Sequence, residues 1–145
     1  MTERWSVGAH SIQYEPETGL VHLVHSGTMN GPEMVSMTER CVDIARTHHP
    51  GEPMYMFVDN RSASGFTADA RRAMGQSPLI RTEMYVALYG ASYPVRAVIN
   101  MVFKAVALVS SSKSVTVAVA TEADARTWLT EQRRVHRDRQ VKSVA

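Results

Sequence analysis

Met54-Tyr-Met-Phe-Val-Asp59, followed by Asn60-Arg-Ser-Ala-Ser-Gly65, is the stretch that decides the fold. Five apolar residues ending on a carboxylate read as a buried strand. The next six hold two serines and a glycine and read as a turn into a helix that starts near Thr67. A strand that feeds a helix this way sets hydroxyls and free backbone N–H groups at the carboxyl edge of a sheet, where open α/β folds receive ligands or partners.

Outward from that junction, strands and helices keep alternating. His10-Ser-Ile-Gln-Tyr14 and Leu20-Val-His-Leu-Val24 flank the turn-rich Glu15-Pro-Glu-Thr-Gly19 and make a hairpin. Asn30 with Glu33 forms a capping box, and Met34, Met37, Cys41 and Ile44 recur at helical spacing until His48-His49-Pro50-Gly51 stops the first helix. Thr67 caps a second helix that turns Ala70, Ala73 and Met74 inward. Met84-Tyr-Val-Ala-Leu-Tyr-Gly90 is another strand, and Ala91-Ser-Tyr-Pro94 a tight turn. Val95, Val98, Ile99, Val102 and Val106 then mark a third helix. Ser114-Val-Thr-Val-Ala-Val-Ala120 alternates as a fifth strand, and Thr121 with Asp124 caps a last helix on which Trp128 and Leu129 pack.

The order ββαβαβαβα predicts one α/β domain: a mixed, mostly parallel five-stranded sheet with four helices and right-handed crossovers. Parallel strands aim their exits at one edge, so residues 27–30, 59–65, 91–93 and Thr121 are expected to share a rim. The candidate binding residues there are Asn30, Asp59, Ser62, Ser64, Gly65, Phe66, Ala91, Ser92 and Tyr93.

Composition bounds the rest. The chain has 145 residues, 44% of them hydrophobic and 21% charged, ordinary for one globular domain. Cys41 is the only cysteine, which excludes an internal disulfide and a cysteine-based zinc cluster and fits a cytoplasmic setting. No apolar run of signal-peptide length opens the chain, and Arg96, Asn100 and Lys104 interrupt residues 95–109, so neither secretion nor a membrane span is expected. Residues 133–145 hold five Lys or Arg against Asp138, and are expected to be a frayed, solubilising basic tail beyond a domain of residues 1–132.

Chemistry is sparser. Asp59 can act as an acid or orient a ligand, or can accept backbone N–H groups from the next loop, the commoner role of a strand-end carboxylate. His22 and His25, three apart on a strand, point to opposite faces; His10 can pair across the hairpin with one of them, but no third ligand is evident, so no metal is expected. Cys41 lies in the apolar stripe and reads as a small buried hydrophobe. No Gly-x-Ser-x-Gly, phosphate-cradling glycine loop or dinucleotide fingerprint occurs, and no cofactor is expected.

Leu23-Val-His-Ser-Gly-Thr-Met29, Phe57-Val-Asp-Asn60, Tyr85-Val-Ala-Leu-Tyr-Gly90 and Val117-Ala-Val-Ala-Thr-Glu-Ala-Asp-Ala-Arg-Thr-Trp-Leu129, together with the element order, resemble the STAS-like proteins of the SpoIIAA-like family over residues 8–130. That resemblance implies the anti-sigma-factor-antagonist fold and a small regulatory protein, in whose classical members a Ser or Thr at the start of the second helix is phosphorylated. Ser64 occupies about that place, with Ser62 beside it. Only four residues separate Asp59 from Ser64, fewer than in the classical pattern, and no Asp precedes the serine. The serines either accept a phosphate near the helix N-terminus and Arg61 or simply complete the turn.

Three functions follow from these readings as expectations. The first is a non-enzymatic cytoplasmic module that binds a protein partner through the rim, with Ser64 or Ser62 as an optional switch. The second is a binder of a small apolar or amphipathic ligand, using the methionine-rich core. The third is an enzyme built on Asp59 and a rim histidine, placed last because no nucleophile, base and orienting group come together. The apolar third helix adds a homodimer surface or pocket wall as an option, and nucleic acid is not an expected partner.

Overall fold

Strands pair in simple chain order in the computed structural model, which describes residues 3–109 and 114–144. Strands β1 (Glu3–Val7), β2 (His10–Glu15) and β3 (Leu20–Met29) form an antiparallel meander. Strands β4 (Met54–Phe66), β5 (Met84–Tyr89) and β6 (Val115–Val119) extend it in parallel. The helices are α1 (Gly31–His48), α2 (Ala68–Gln76), α3 (Tyr93–Val109) and α4 (Glu122–Val144), with a 3-10 turn, Pro78–Arg81, leading into β5.

The two-residue period of the central strands sorts their side chains into two cores. Met54, Met56, Val58, Met84, Val86 and Leu88 meet Met34, Met37, Cys41 and Ile44 of α1, Ala70 of α2, and Val95 and Ile99 of α3. Tyr55, Phe57, Tyr85, Ala87 and Tyr89 face the other way, under Ala125 and Leu129 of α4. Cover on both faces explains why β4 and β5 open as unbroken apolar runs. The helix starts are fixed locally. Asn30 and Glu33 exchange both bonds of a capping box at 2.9 Å each, Thr67 Oγ1 accepts from Ala70 N–H, and Thr121 Oγ1 accepts from Asp124 N–H.

The structure departs from the sequence expectation in three places. A sixth strand, β1, pairs along the hairpin, with Trp5 opposite Ile12 and the Arg40 guanidinium 4.5 Å over the indole. Helix α4 extends past Gln132 to Val144, where Arg133 donates to the carbonyls of Thr18 and Gly19 and Arg134 pairs with Glu131 and Asp138 one turn to either side. Strand β4 also does not stop at Asp59 but runs seven residues further, to Phe66. The side chains of Val102, Phe103 and Val106, part of the expected apolar surface of α3, lie outside the described residues. Among the described residues no helix is long and apolar enough to cross a membrane.

Candidate functional site

Asp59 pairs with Tyr89, the last residue of β5, so everything beyond it on β4 has only β3 for a neighbour. The two strands continue together for five more residues of β3, roughly 17 Å, as a ribbon past the end of the sheet. Two bulges shape it. Asn60 and Arg61 stand against the single residue His25, and Ser64 is the extra residue between the Ala63–Gly27 and Gly65–Thr28 pairs. A bulge re-aims a side chain and sharpens the local twist; Ser62 and Ser64 are both exposed. Gly65 has φ of +147°, a conformation that favours glycine. At the tip, Thr67 N–H donates to Met29 O at 3.0 Å, and α1 and α2 both start there.

The four strand exits therefore lie at one end of the sheet but at two heights. Asn30, Ser64, Gly65 and Phe66 occupy the ribbon, with Asn30 spent on its cap. Ala91, Ser92 and Tyr93 leave β5 at the ribbon's base. Gly90, at φ +73°, bends the chain there so tightly that a Cβ would meet the backbone of Arg61 at 3.2 Å. Asp59 sits at the same base, and its carboxylate accepts from Arg61 three times: from the backbone N–H (3.0 Å), from Nε (3.0 Å) and from Nη2 (2.8 Å). The Arg61 guanidinium holds the Asp59 carboxyl below its ordinary range. Asp59 is thus an ionised carboxylate locked to its own strand, accepting the backbone N–H two residues on.

A polar constellation that the sequence did not announce lies on the α4 face. His22 Nε2 is 3.2 Å from Tyr89 Oη, which donates to Glu122 Oε1 at 3.3 Å. Arg126 holds Glu122 through Nε and grips Glu15 with both Nη atoms, at 2.8 and 2.7 Å. These contacts join positions 67, 33 and 111 residues apart, which no local motif records. Burial keeps His22 below its ordinary value and lifts the Tyr89 phenol above its own, so both are neutral near pH 7. Arginines engage Glu122, Glu15 and Asp59, so the constellation works as a staple between α4 and the sheet. Tyr89→Phe, which strands the His22 nitrogen, is expected to cost about 1–2 kcal/mol in a urea titration. An unchanged midpoint would show that the hydroxyl contributes nothing.

The other candidates are placed as follows. His10 faces His25 across the hairpin, their ring centroids 5.2 Å apart, while His22 stacks on Phe57 on the opposite side of the sheet. His48 stacks on Tyr14 at 3.9 Å. Cys41 is buried, which pushes its thiol up to about 12 and leaves it unreactive. Among the described residues no three His, Cys, Asp or Glu side chains converge as a metal site. No protein-family model matches the chain, and no curated protein matches it.

Proposed function

We propose that this chain is a non-enzymatic regulatory module of the STAS-like kind, working in the cytoplasm by binding a protein partner through the β3–β4 ribbon. One observation carries the reading: a two-stranded ribbon projects beyond the sheet and presents Ser62 and a bulged Ser64 to solvent. A protein partner meets such a ribbon as a shaped, hydroxyl-bearing ridge. A phosphate on Ser64 would add about two negative charges close to the start of α2. Arg71, which donates to Phe66 O at 3.0 Å, is the counter-charge on that side, since Arg61 is committed to Asp59. The resemblance to SpoIIAA-like proteins supports the same assignment.

A second contact surface adjoins the ribbon's base. Tyr93 and Met101 are 76% and 59% exposed, and with exposed Ala97 they recur every fourth residue along α3. An apolar stripe of that kind suits a protein surface or a second copy of the chain.

Trp substitutions test the ribbon. Ser62→Trp and Ser64→Trp are expected to lose a partner that the wild-type chain captures from cell lysate. Thr130→Trp, on the exposed side of α4, is expected to keep it. Equal capture by all four proteins, or by none, would sink the reading. Mass spectrometry of the ribbon peptide after incubation with lysate and ATP tests the switch alone: an unmodified peptide removes phosphorylation and leaves docking standing.

A further inference from the structure

Where the ribbon leaves the hairpin, the structure buries two imidazoles side by side. His10 of β2 is 1% exposed and His25 of β3 is 2% exposed, with ring centroids 5.2 Å apart. His10 Nδ1 accepts the backbone N–H of Ser26 at 3.1 Å, so in the neutral ring the proton resides on Nε2. That nitrogen points toward Glu33 Oε1, 3.5 Å away and short of hydrogen-bond geometry. The same Glu33 oxygen accepts from Asn30 N–H in the α1 cap.

Three buried polar atoms at this place, His10 Nε2, His25 Nε2 and Asn60 Oδ1, lack a hydrogen bond of good geometry, although the Asn60 side chain and the Gly65 carbonyl both lie against the His25 ring. Clustered orphans of this kind are rare in folded proteins and mark strain or function. Their positions are informative. Asn60 belongs to the first β4 bulge, directly opposite His25, and its amide is turned to donate to Val58 O. Phe66, the last residue of the ribbon, packs its ring 4.7 Å from that of His25. Beyond the β3–β4 ladder itself, Phe66 on His25 and His25 beside His10 therefore link the far end of β4 through β3 to β2.

We propose that His25, packed between His10 and Phe66, is a proton-operated latch: while its ring is neutral the end of β4 is held in place, and a proton taken up by His25 releases it. The groups around His25 set the sign. From β2 it faces His10; from α1, the Glu33 carboxylate, already committed to the cap; from β4, neutral Asn60 and Phe66 and the carbonyl of Gly65; and from α2, Arg71 reaches the Phe66 carbonyl. Burial opposes a charge on His25 most, and His10 opposes it next. The closed form therefore excludes a proton that the open form accepts from solvent, with no covalent change. Opening frees Phe66 and, with it, the Thr67 cap of α2 and the bulge that carries Ser64.

The latch depends on the partner-binding reading only for its use; its operation is a property of the isolated chain. Hydrogen exchange of the intact protein between about pH 7.5 and about pH 5 tests it. Once the intrinsic pH effect is removed, protection of residues 62–66 is expected to fall by up to about tenfold per pH unit, the limit for one proton taken up on opening. His25→Phe, which fills the same space without titrating, is expected to keep protection and lose the dependence. Equal pH dependence in both proteins, or none in the wild type, overturns the latch. Imidazole nitrogen shifts in the wild-type protein need no variant: a His25 that stays neutral while protection falls also overturns it. Failure here leaves the Trp-substitution result on the ribbon untouched.

Discussion

Replacing Phe57 with alanine is expected to lower stability by about 3–5 kcal/mol, roughly a third or more of what a domain of this size has to spare. The ring is fully buried at the centre of β4 beneath α4. His22 lies parallel to it, with centroids 4.3 Å apart, and the Arg126 guanidinium covers it at 4.5 Å. Removing the ring thus opens a cavity and takes away the floor on which Arg126 reaches Glu15 and Glu122. The two tryptophans report where the damage falls, because Trp5 packs against the α1–α3 core and Trp128 against the α4 core. Urea unfolding followed by fluorescence should show a lower midpoint and a red-shifted Trp128 in the folded baseline. A loss under about 1 kcal/mol would mean that α4 settles to fill the space.

Acid is expected to weaken the fold in two stages. Burial depresses His22, His25 and His49 below the ordinary imidazole value of 6.5. Above that value all three are neutral in both the folded and unfolded chain, so stability is flat. As pH falls below it the unfolded chain takes up protons that the folded chain refuses, and stability declines until the depressed folded values are passed. The slope approaches about 1.4 kcal/mol per pH unit for each histidine, or about 4 for the three together. A second decline follows below about pH 4.5, because Glu15, Glu33 and Asp59 have folded values held down by Arg126, by the Asn30 N–H and by Arg61. Urea midpoints at about pH 7.5, 6 and 5 check the first stage. A flat series would show that the three rings are hydrated enough to charge in place.

Local chemistry made most of the architecture legible. The Asn30–Glu33 box, the Met34–Met37–Cys41–Ile44 stripe and the apolar run from Met54 each declare themselves within one turn or one strand. The ribbon was hidden for the opposite reason. Asn60-Arg-Ser-Ala-Ser-Gly65 has turn composition, and only pairing with Ser26-Gly-Thr-Met29, far away in sequence, makes it a strand with two bulges. Strand β1 was missed because Arg4 and Ser6 face outward on an edge whose order comes from its neighbour. The fate of the C-terminal residues turned on Arg133 finding two carbonyls at the Glu15–Leu20 turn, more than a hundred positions away. His10 was half legible: the hairpin offered it His22 or His25, and register chose the latter.

Because every strand lies beside the next one in the chain, the sheet can be laid down from one end while the polypeptide is still emerging from the ribosome, with α1, α2 and α3 closing over one side as they appear. The aromatic side must wait. Tyr55, Phe57, Tyr85 and Tyr89 have no lid until Leu129 has been made, which leaves the nascent protein stickiest in the interval between the completion of β5 and that of α4.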